Sequence, residues 1–308
     1  MNTDVIEALS TIKEFVSLDP ASMSIERLGG LTNRNYKIDC AHGSYVLRLA
    51  GAGTSDYIDR SAEFHNATIA SQAGVNAEII HFDTQSGTMV CRYIENSVTL
   101  DIDKLRNPDV LDRTGRAFRK LHGCGEKFSG QFDLFEQVDQ YLDVLKNLQA
   151  NLPDGYEAVQ KDAEHVRAAL SSHKLPNTPC HCDPMVENCI DDGNKVFIID
   201  FEYAGNNDPM WDLGDISVEG NFTEEQDHRF MTAYFGSEPG AFDVGRMVMY
   251  KAMCDLLWTL WGVVQHANNN PAEDFWAYAV ERLERCQVLM ASDAFPRHLR
   301  SAINGPQK

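Results

Sequence analysis

Basic side chains are scarce: 27 Lys and Arg stand against 46 Asp and Glu, a formal charge of −19 over 308 residues. No block of Lys and Arg relieves that imbalance, so neither nucleic acid nor an anionic membrane surface is an expected partner. Long apolar runs are missing too. The most apolar stretch, 247–264, is interrupted by Lys251 and Asp255, charges that are costly in lipid, and it reads as a buried amphipathic helix. The first fifteen residues place Asp4 and Glu7 where a secretory signal carries a basic start and an unbroken apolar stretch, so no such signal is expected. Repeats, low-complexity segments and long linkers are absent. The eight cysteines lie in irregular contexts, and a chain of this length has no need of disulfide staples, which makes a reducing cytoplasm the expected compartment. Cys180-His181-Cys182 with Cys189 lacks the second ligand cluster that a structural zinc site requires.

What is present is ordinary for a globular protein: 43% hydrophobic and 24% charged residues, enough for a sizeable core. Apolar residues from Val5 to Val16 fall at helical spacing and predict a helix over 3–18, stopped by Asp19-Pro20. The period then changes. Short β-like runs at 36–40 and 45–49, around Ala41-His42-Gly43-Ser44, predict a hairpin preceded by the Gly29-Gly30 turn. A helix over 59–72 and strands at 77–82 and 88–93 complete a β-rich region, residues 1–95. From 96 to 308 the pattern is mostly helical, with helices at 108–122, 132–148, 155–172, 210–219, 224–235, 242–266 and 271–290. One hairpin interrupts them, 187–191 and 195–201 around Asp192-Gly193-Asn194. The expected fold class is α+β, two lobes with a ligand cleft between them.

The sharpest chemical signal is the loop Cys180-His181-Cys182-Asp183-Pro184-Met185-Val186-Glu187-Asn188, followed by the hairpin and Ile199-Asp200-Phe201-Glu202. Each piece alone is turn chemistry. Together, His-x-Asp-x4-Asn and a second Asp twelve residues after the Asn supply what phosphoryl transfer needs. Asp183 suits the base that orients and deprotonates an attacking hydroxyl. Asn188 and Asp200 offer the hard oxygens that Mg²⁺ prefers. His181 is expected to brace the loop by hydrogen bonding.

At these residues the chain resembles the aminoglycoside phosphotransferase and choline kinase families, relatives of the protein kinases. The resemblance implies a protein-kinase-like bilobal fold, a small β-rich N-lobe over 1–95 and a helical C-lobe over 96–308, with ATP and Mg²⁺ between them. It makes Leu28 to Tyr36, with Gly29, Gly30, Thr32 and Asn33, the loop that covers the nucleotide. Arg48, on an otherwise apolar strand, takes the place of the phosphate-binding Lys of kinases, paired with Glu63 on the following helix. Val90, Arg92, Tyr93 and Ile94 fall where kinases hold adenine by backbone hydrogen bonds. Asp212 is implied to brace the catalytic loop, and Asp215 reads as a solvated charge on the helix face.

The stretch from Ile199 to Leu213, and Glu219 beyond it, resembles choline and ethanolamine kinases more than the antibiotic-modifying branch. Trp258 and Trp261, three residues apart on one helix face, and Tyr278 resemble the aromatic pocket of that family. A quaternary ammonium has no N–H to donate and is held by aromatic faces. Tyr203, Glu202 and Glu219 would complete a cage for a small cationic substrate bearing a hydroxyl. Aromatics at this spacing also suit a plain core helix. Met185 stands where choline kinases commonly carry Gln, which leaves choline, ethanolamine, thiamine and aminoglycosides as acceptors, and a kinase-like module without activity as the reading from another class. Nothing in the pattern bears on oligomeric state.

Overall fold

The computed structural model describes residues 3–30, 33–51, 54 and 58–306. The chain begins with helix α1 (Thr3–Ser10) and a five-stranded antiparallel sheet built from β1 (Ser24–Arg27), β2 (Arg34–Cys40), β3 (Gly43–Leu49), β4 (Ile79–Phe82) and β5 (Met89–Arg92). Strand order is β1-β2-β3-β5-β4, with α2 (Arg60–Gln72) inserted between β3 and β4. The hairpin pairs Tyr36 with Leu47 and Ile38 with Tyr45, so the alternation puts Tyr36, Ile38, Tyr45 and Leu47 on one buried face. Val5, Leu9, Ile12 and Phe15 cover that face.

The N-terminal helix is shorter than its apolar pattern predicts. It ends at Ser10, where the Ser10 and Thr11 hydroxyls donate to the carbonyls of Glu7 and Ala8 at 2.7 and 2.8 Å and compete with the helical ladder. The chain continues in turns, with Ile12 N–H bonded to Leu9 O and Phe15 N–H to Ile12 O. Ile12 and Phe15 stay buried, while Val16 is 62% exposed.

The rest is mostly helical. After β6 (Val98–Thr99) and α3 (Ile102–Leu105) come α4 (Pro108–His122), α5 (Leu134–Asn147) and α6 (Tyr156–Ser172). Four short strands follow, β7 (Thr178–Cys180), β8 (Cys189–Asp191), β9 (Val196–Ile198) and β10 (Gly205–Asn207), and then α7 (Pro209–Glu219), α8 (Glu224–Phe235), α9 (Ala241–Ala267), α10 (Phe275–Met290) and α11 (Phe295–Asn304). The α+β expectation therefore holds. Helix α10 starts at Phe275 and not at Pro271, because the Asp274 carboxylate accepts the Ala277 N–H at 3.0 Å and sets the cap there. Helix α11 has no counterpart in the sequence reading.

Helix α9 is the axis of the larger core. It is the one described helix long and apolar enough to cross a membrane, yet 83% of its apolar window is buried inside the protein, as Lys251 and Asp255 led us to expect. The C-terminal half of α2 joins the same core: Ala67, Ile69 and Ala70 cluster with α4 and α9 residues rather than with the sheet. Its N-terminal half carries the buried polar residues Arg60, Glu63 and Asn66, and so delivers charge to the junction of sheet and helices.

Candidate active site

Strand β7 pairs with β10 and leads into the loop 181–188, which returns through the hairpin β8–β9. This hairpin places Asn188 at its entry and Asp200 just past its exit. Cys182 and Asp200, neither of them glycine, hold left-handed backbone at φ 68° and 69°, a conformation costing on the order of 1–2 kcal/mol. It is retained here by side-chain bonds around it. The fully buried Asp212, in the first turn of α7, accepts the His181 and Cys182 N–H groups at 2.7 and 2.9 Å. Its second anchor is His122 Nε2 at 2.9 Å, and Trp211 Nε1 donates to Cys182 O at 3.1 Å. Thus Asp212 fixes the backbone immediately before Asp183, as the resemblance implied.

His181 is placed to brace the loop. Its ring is buried, bonded through Nε2 to Ile199 O at 2.8 Å and packed edge-on against Phe201 at 5.0 Å. Burial lowers its pKa, so the imidazole is neutral and links the loop to the strand exit that carries Asp200. Asp183, by contrast, is half-buried among carboxylates. Burial first, then the charges of Asp200, Glu219 and Glu202, push its carboxyl up to about 7. Asn188 Nδ2 donates to Asp183 O at 3.3 Å.

The sheet side supplies cations. Arg48 is buried, ion-paired with Glu63, 3.3 Å from Asp200 and bonded to Gly87 O at 3.3 Å. The strand-to-helix pair expected between Arg48 and Glu63 is therefore in place. A second buried guanidinium, Arg60, bonds Glu63 at 2.6 Å, Glu202 at 3.3 Å and Thr54 Oγ1 at 2.6 Å. Oxygens of Glu63, Asp200 and Glu202 all lie within 4.8 Å of one another. Three carboxylates against two guanidinium groups leave one negative charge, and burial raises the pKa of both Asp200 and Glu202. That donor set fits a divalent cation with hard-oxygen preference.

Glu202 thus stands away from the aromatic side, where the sequence reading put it. Asn33 Nδ2 donates to it at 3.4 Å and Asn33 Oδ1 accepts the Gly51 N–H at 3.2 Å, so Asn33 ties the glycine loop to the metal-side carboxylates. Gly30 has φ 137°, and a Cβ there would meet Asn33 O at 2.4 Å; only glycine is accommodated. Thr32 lies outside the described residues. Of the adenine-side candidates, Val90 is buried in the sheet, and the N–H groups of Arg92 and Tyr93 are already bonded to Glu78 O and Ser44 O.

On the helical side the outcome is mixed. Trp258 and Trp261 meet edge to face at 6.2 Å, and Tyr278 packs on Trp261 at 5.7 Å. Glu219, however, is bound to Arg282 at 2.7 Å, whose guanidinium lies 4.9 Å over the Tyr278 ring and also pairs with Asp255 at 3.1 Å. A resident cation already occupies that corner. Tyr203 is 45% exposed. The expectation that Asp215 is a solvated charge is overturned: it is buried, Oδ1 accepts from Cys254 Sγ at 3.0 Å and Trp258 Nε1 at 3.5 Å, and Oδ2 has no partner among the described residues. Burial, then Glu219 and Asp183, raise its pKa.

Arg60, Asp215 and Arg282 are the site residues that the sequence reading missed. Each sits one helical turn from a residue that it named: Arg60 three before Glu63, Asp215 four before Glu219, Arg282 four after Tyr278. Among the described residues Cys182 and Cys189 join no candidate metal group, whereas Cys180 lies in one with His122 and Asp212; all eight thiols are free.

A family model described as the phosphotransferase enzyme family matches residues 24–246. The chain is 46% identical to a choline/ethanolamine kinase family protein from Mesorhizobium loti, whose crystal structure matches with a TM-score of 0.90 over 99% of this chain and 100% of that one. It is 27% identical to choline kinase LicA from Streptococcus pneumoniae, with a TM-score of 0.76 over 94% and 98% of the two chains. Protein LicA of Haemophilus influenzae is 28% identical over 90% of this chain and 82% of its own length. The small antiparallel sheet and helical region are those of the kinase-like neighbours. The loop, the arginine-carboxylate cluster and these similarities converge: the chain belongs to the phosphotransferase enzyme family, on its choline/ethanolamine kinase branch, and is a phosphotransferase with an alcohol group as acceptor.

Proposed function

We propose that the protein transfers the γ-phosphoryl group of ATP to the hydroxyl of choline or a related amino alcohol such as ethanolamine. One observation carries the choice of acceptor. Asp215 is a buried carboxylate with a spare oxygen, bonded to Trp258 and within electrostatic reach of Asp183. A cation at Asp215, lying against Trp258 and Trp261, would bring a hydroxyl two carbons away toward the base. Glu219 and Tyr278 support this recess through Arg282.

Asp183 accepts the hydroxyl proton as the oxygen attacks phosphorus in line. Arg48, oriented by Glu63, faces the phosphates, and the Gly29-Gly30 turn brings backbone close to them. Ile94 N–H, without a partner among the described residues, faces adenine. Asn188 and Asp200, with Glu202 beside them, would hold Mg²⁺, which when bound neutralises phosphate charge. His181 and Asp212 keep the loop in register. Residues 1–95 grip ATP, while 96–308 carry catalysis and acceptor choice. Eight free thiols suit the cytoplasm.

The deciding experiment is nucleotide turnover with Mg²⁺ across choline, ethanolamine, thiamine and kanamycin. Choline or ethanolamine should exceed kanamycin in kcat/KM by about 10²-fold or more, a difference of roughly 3 kcal/mol. Preference for kanamycin sinks the proposal, and ligand binding without turnover favours an inactive module. Trp258→Ala should raise the choline KM about tenfold while the ATP KM moves less than about twofold, as loss of one cation–π face and of the Asp215 contact implies. Equal changes in both constants would show that the tryptophan only packs.

A further inference from the structure

Helix α4 presents Arg113, Arg116 and Lys120 on one face, toward the β8–β9 hairpin. With Lys195 at the hairpin turn and the backbone at Gly74, they line a cavity of about 230 Å³. Four cationic side chains thus converge on one cavity of a chain whose formal charge is −19. Only part of that charge is answered. Arg113 is held by both oxygens of Asp191, at 2.9 and 2.7 Å. Lys195 donates to Gly74 O at 3.1 Å and lies 3.9 Å over the Phe197 ring. Asp192 is close to Lys195, but its Oδ1 is taken by the Asn194 and Lys195 N–H groups at 2.8 Å. Arg116 and Lys120 form no ion pair among the described residues, whereas other helix-face cations such as Arg229 find carboxylates. Burial first, then the neighbouring Lys120, lower the Lys195 pKa, and Asp192 partly offsets them.

We infer that this cavity binds a small phosphate-type dianion, held by Arg116 and Lys120 of α4 and Lys195 of the hairpin. A guanidinium fork and two ammonium groups match tetrahedral oxygens from three directions. The cavity of about 230 Å³ has room for inorganic phosphate or a short phosphomonoester. The site lies on the far side of the hairpin from Asp200. Ile198 N–H donates to Val75 O at 2.9 Å beside it, so an anion there ties α4, the hairpin and the α2–β4 corner together.

The test is calorimetric titration of the full chain with inorganic phosphate and, separately, methyl phosphate, against sodium chloride of equal ionic strength. Saturable 1:1 binding is expected, weakened tenfold or more in the Arg116→Gln/Lys120→Gln double variant. Tighter binding of methyl phosphate would identify a phosphomonoester as the ligand, and tighter binding of inorganic phosphate the free ion. Heat no greater than the chloride blank overturns the inference, and so does equal affinity in the variant, which would put the phosphate elsewhere, at Arg48 and Arg60. Should the double variant fail to fold, Lys195→Gln at the exposed turn serves the same comparison and is held to the same tenfold loss.

Discussion

Asp183→Asn lowers kcat by about 10²–10⁴-fold, the usual contribution of a positioned base, and leaves the ATP KM within about threefold. The amide keeps the size and the loop contacts, but it cannot take a proton from the hydroxyl. The same substitution is expected to stabilise the protein without nucleotide or metal at pH 8. The Asp183 carboxyl titrates at about 7 when folded, against 3.8 ordinarily. Between those values the folded state holds a proton that the unfolded state has released, so stability falls as pH rises from about 4 to 7. Above 7 the full cost remains, up to about 4 kcal/mol, because a charge sits beside Asp200, Glu219 and Glu202. Asparagine carries no charge at any of these pH values. Tm of the variant should therefore exceed that of the parent by several degrees at pH 8, and the difference should close toward pH 4. A near-parental kcat would refute the assignment of the base; a Tm difference that does not change with pH would refute the strained carboxylate.

The grouping of Asp183, Asn188 and Asp200 was legible because they lie in one stretch of chain, a loop and the two-strand hairpin that follows it. Arg48 and Glu63 were legible for a similar reason, a lone charge on an apolar strand followed by a helix. Asp215 was not. Its burial is decided by Cys254 and Trp258 on α9, some forty residues away, and a helix-face carboxylate has no local mark that distinguishes solvent from core. Glu202 was placed on the wrong side of Asp200 because neighbours two apart in an irregular turn have no fixed facing, and only the fold brings Arg60 and Asn33 against it. The helix predicted over 3–18 failed at Ser10-Thr11, where hydroxyls took helix carbonyls while the apolar stripe continued to bury. Strands β7 and β10, three residues each and 25 apart, gave no period to read.

Asp212→Asn should also cut kcat, by about 10²-fold, although among the described residues its side chain is bonded only to the loop and to His122. One carboxylate accepts three donors, the N–H groups of His181 and Cys182 and His122 Nε2, in a place with no access to water. His122 cannot swing away easily, since Nδ1 bonds the Tyr234 hydroxyl at 2.9 Å. An amide nitrogen in place of either oxygen would point a donor at a donor and leave a buried N–H unpaired. Breaking a charged, buried network in this way costs about 3–5 kcal/mol, a fall in Tm of about 10 °C. The left-handed backbone at Cys182 then loses the contact that holds it. Displacement of Asp183 by about 1 Å accounts for the rate. Kinetics at 10 °C, where the variant is folded, separate the two effects: kcat should be low while the ATP KM is unchanged. Parental values of both Tm and kcat would show that the loop holds itself. The two Asp→Asn substitutions are thus expected to slow the reaction by different routes and to move Tm in opposite directions at pH 8, because Asp183 is a charge that strains the fold and Asp212 is a charge the fold requires.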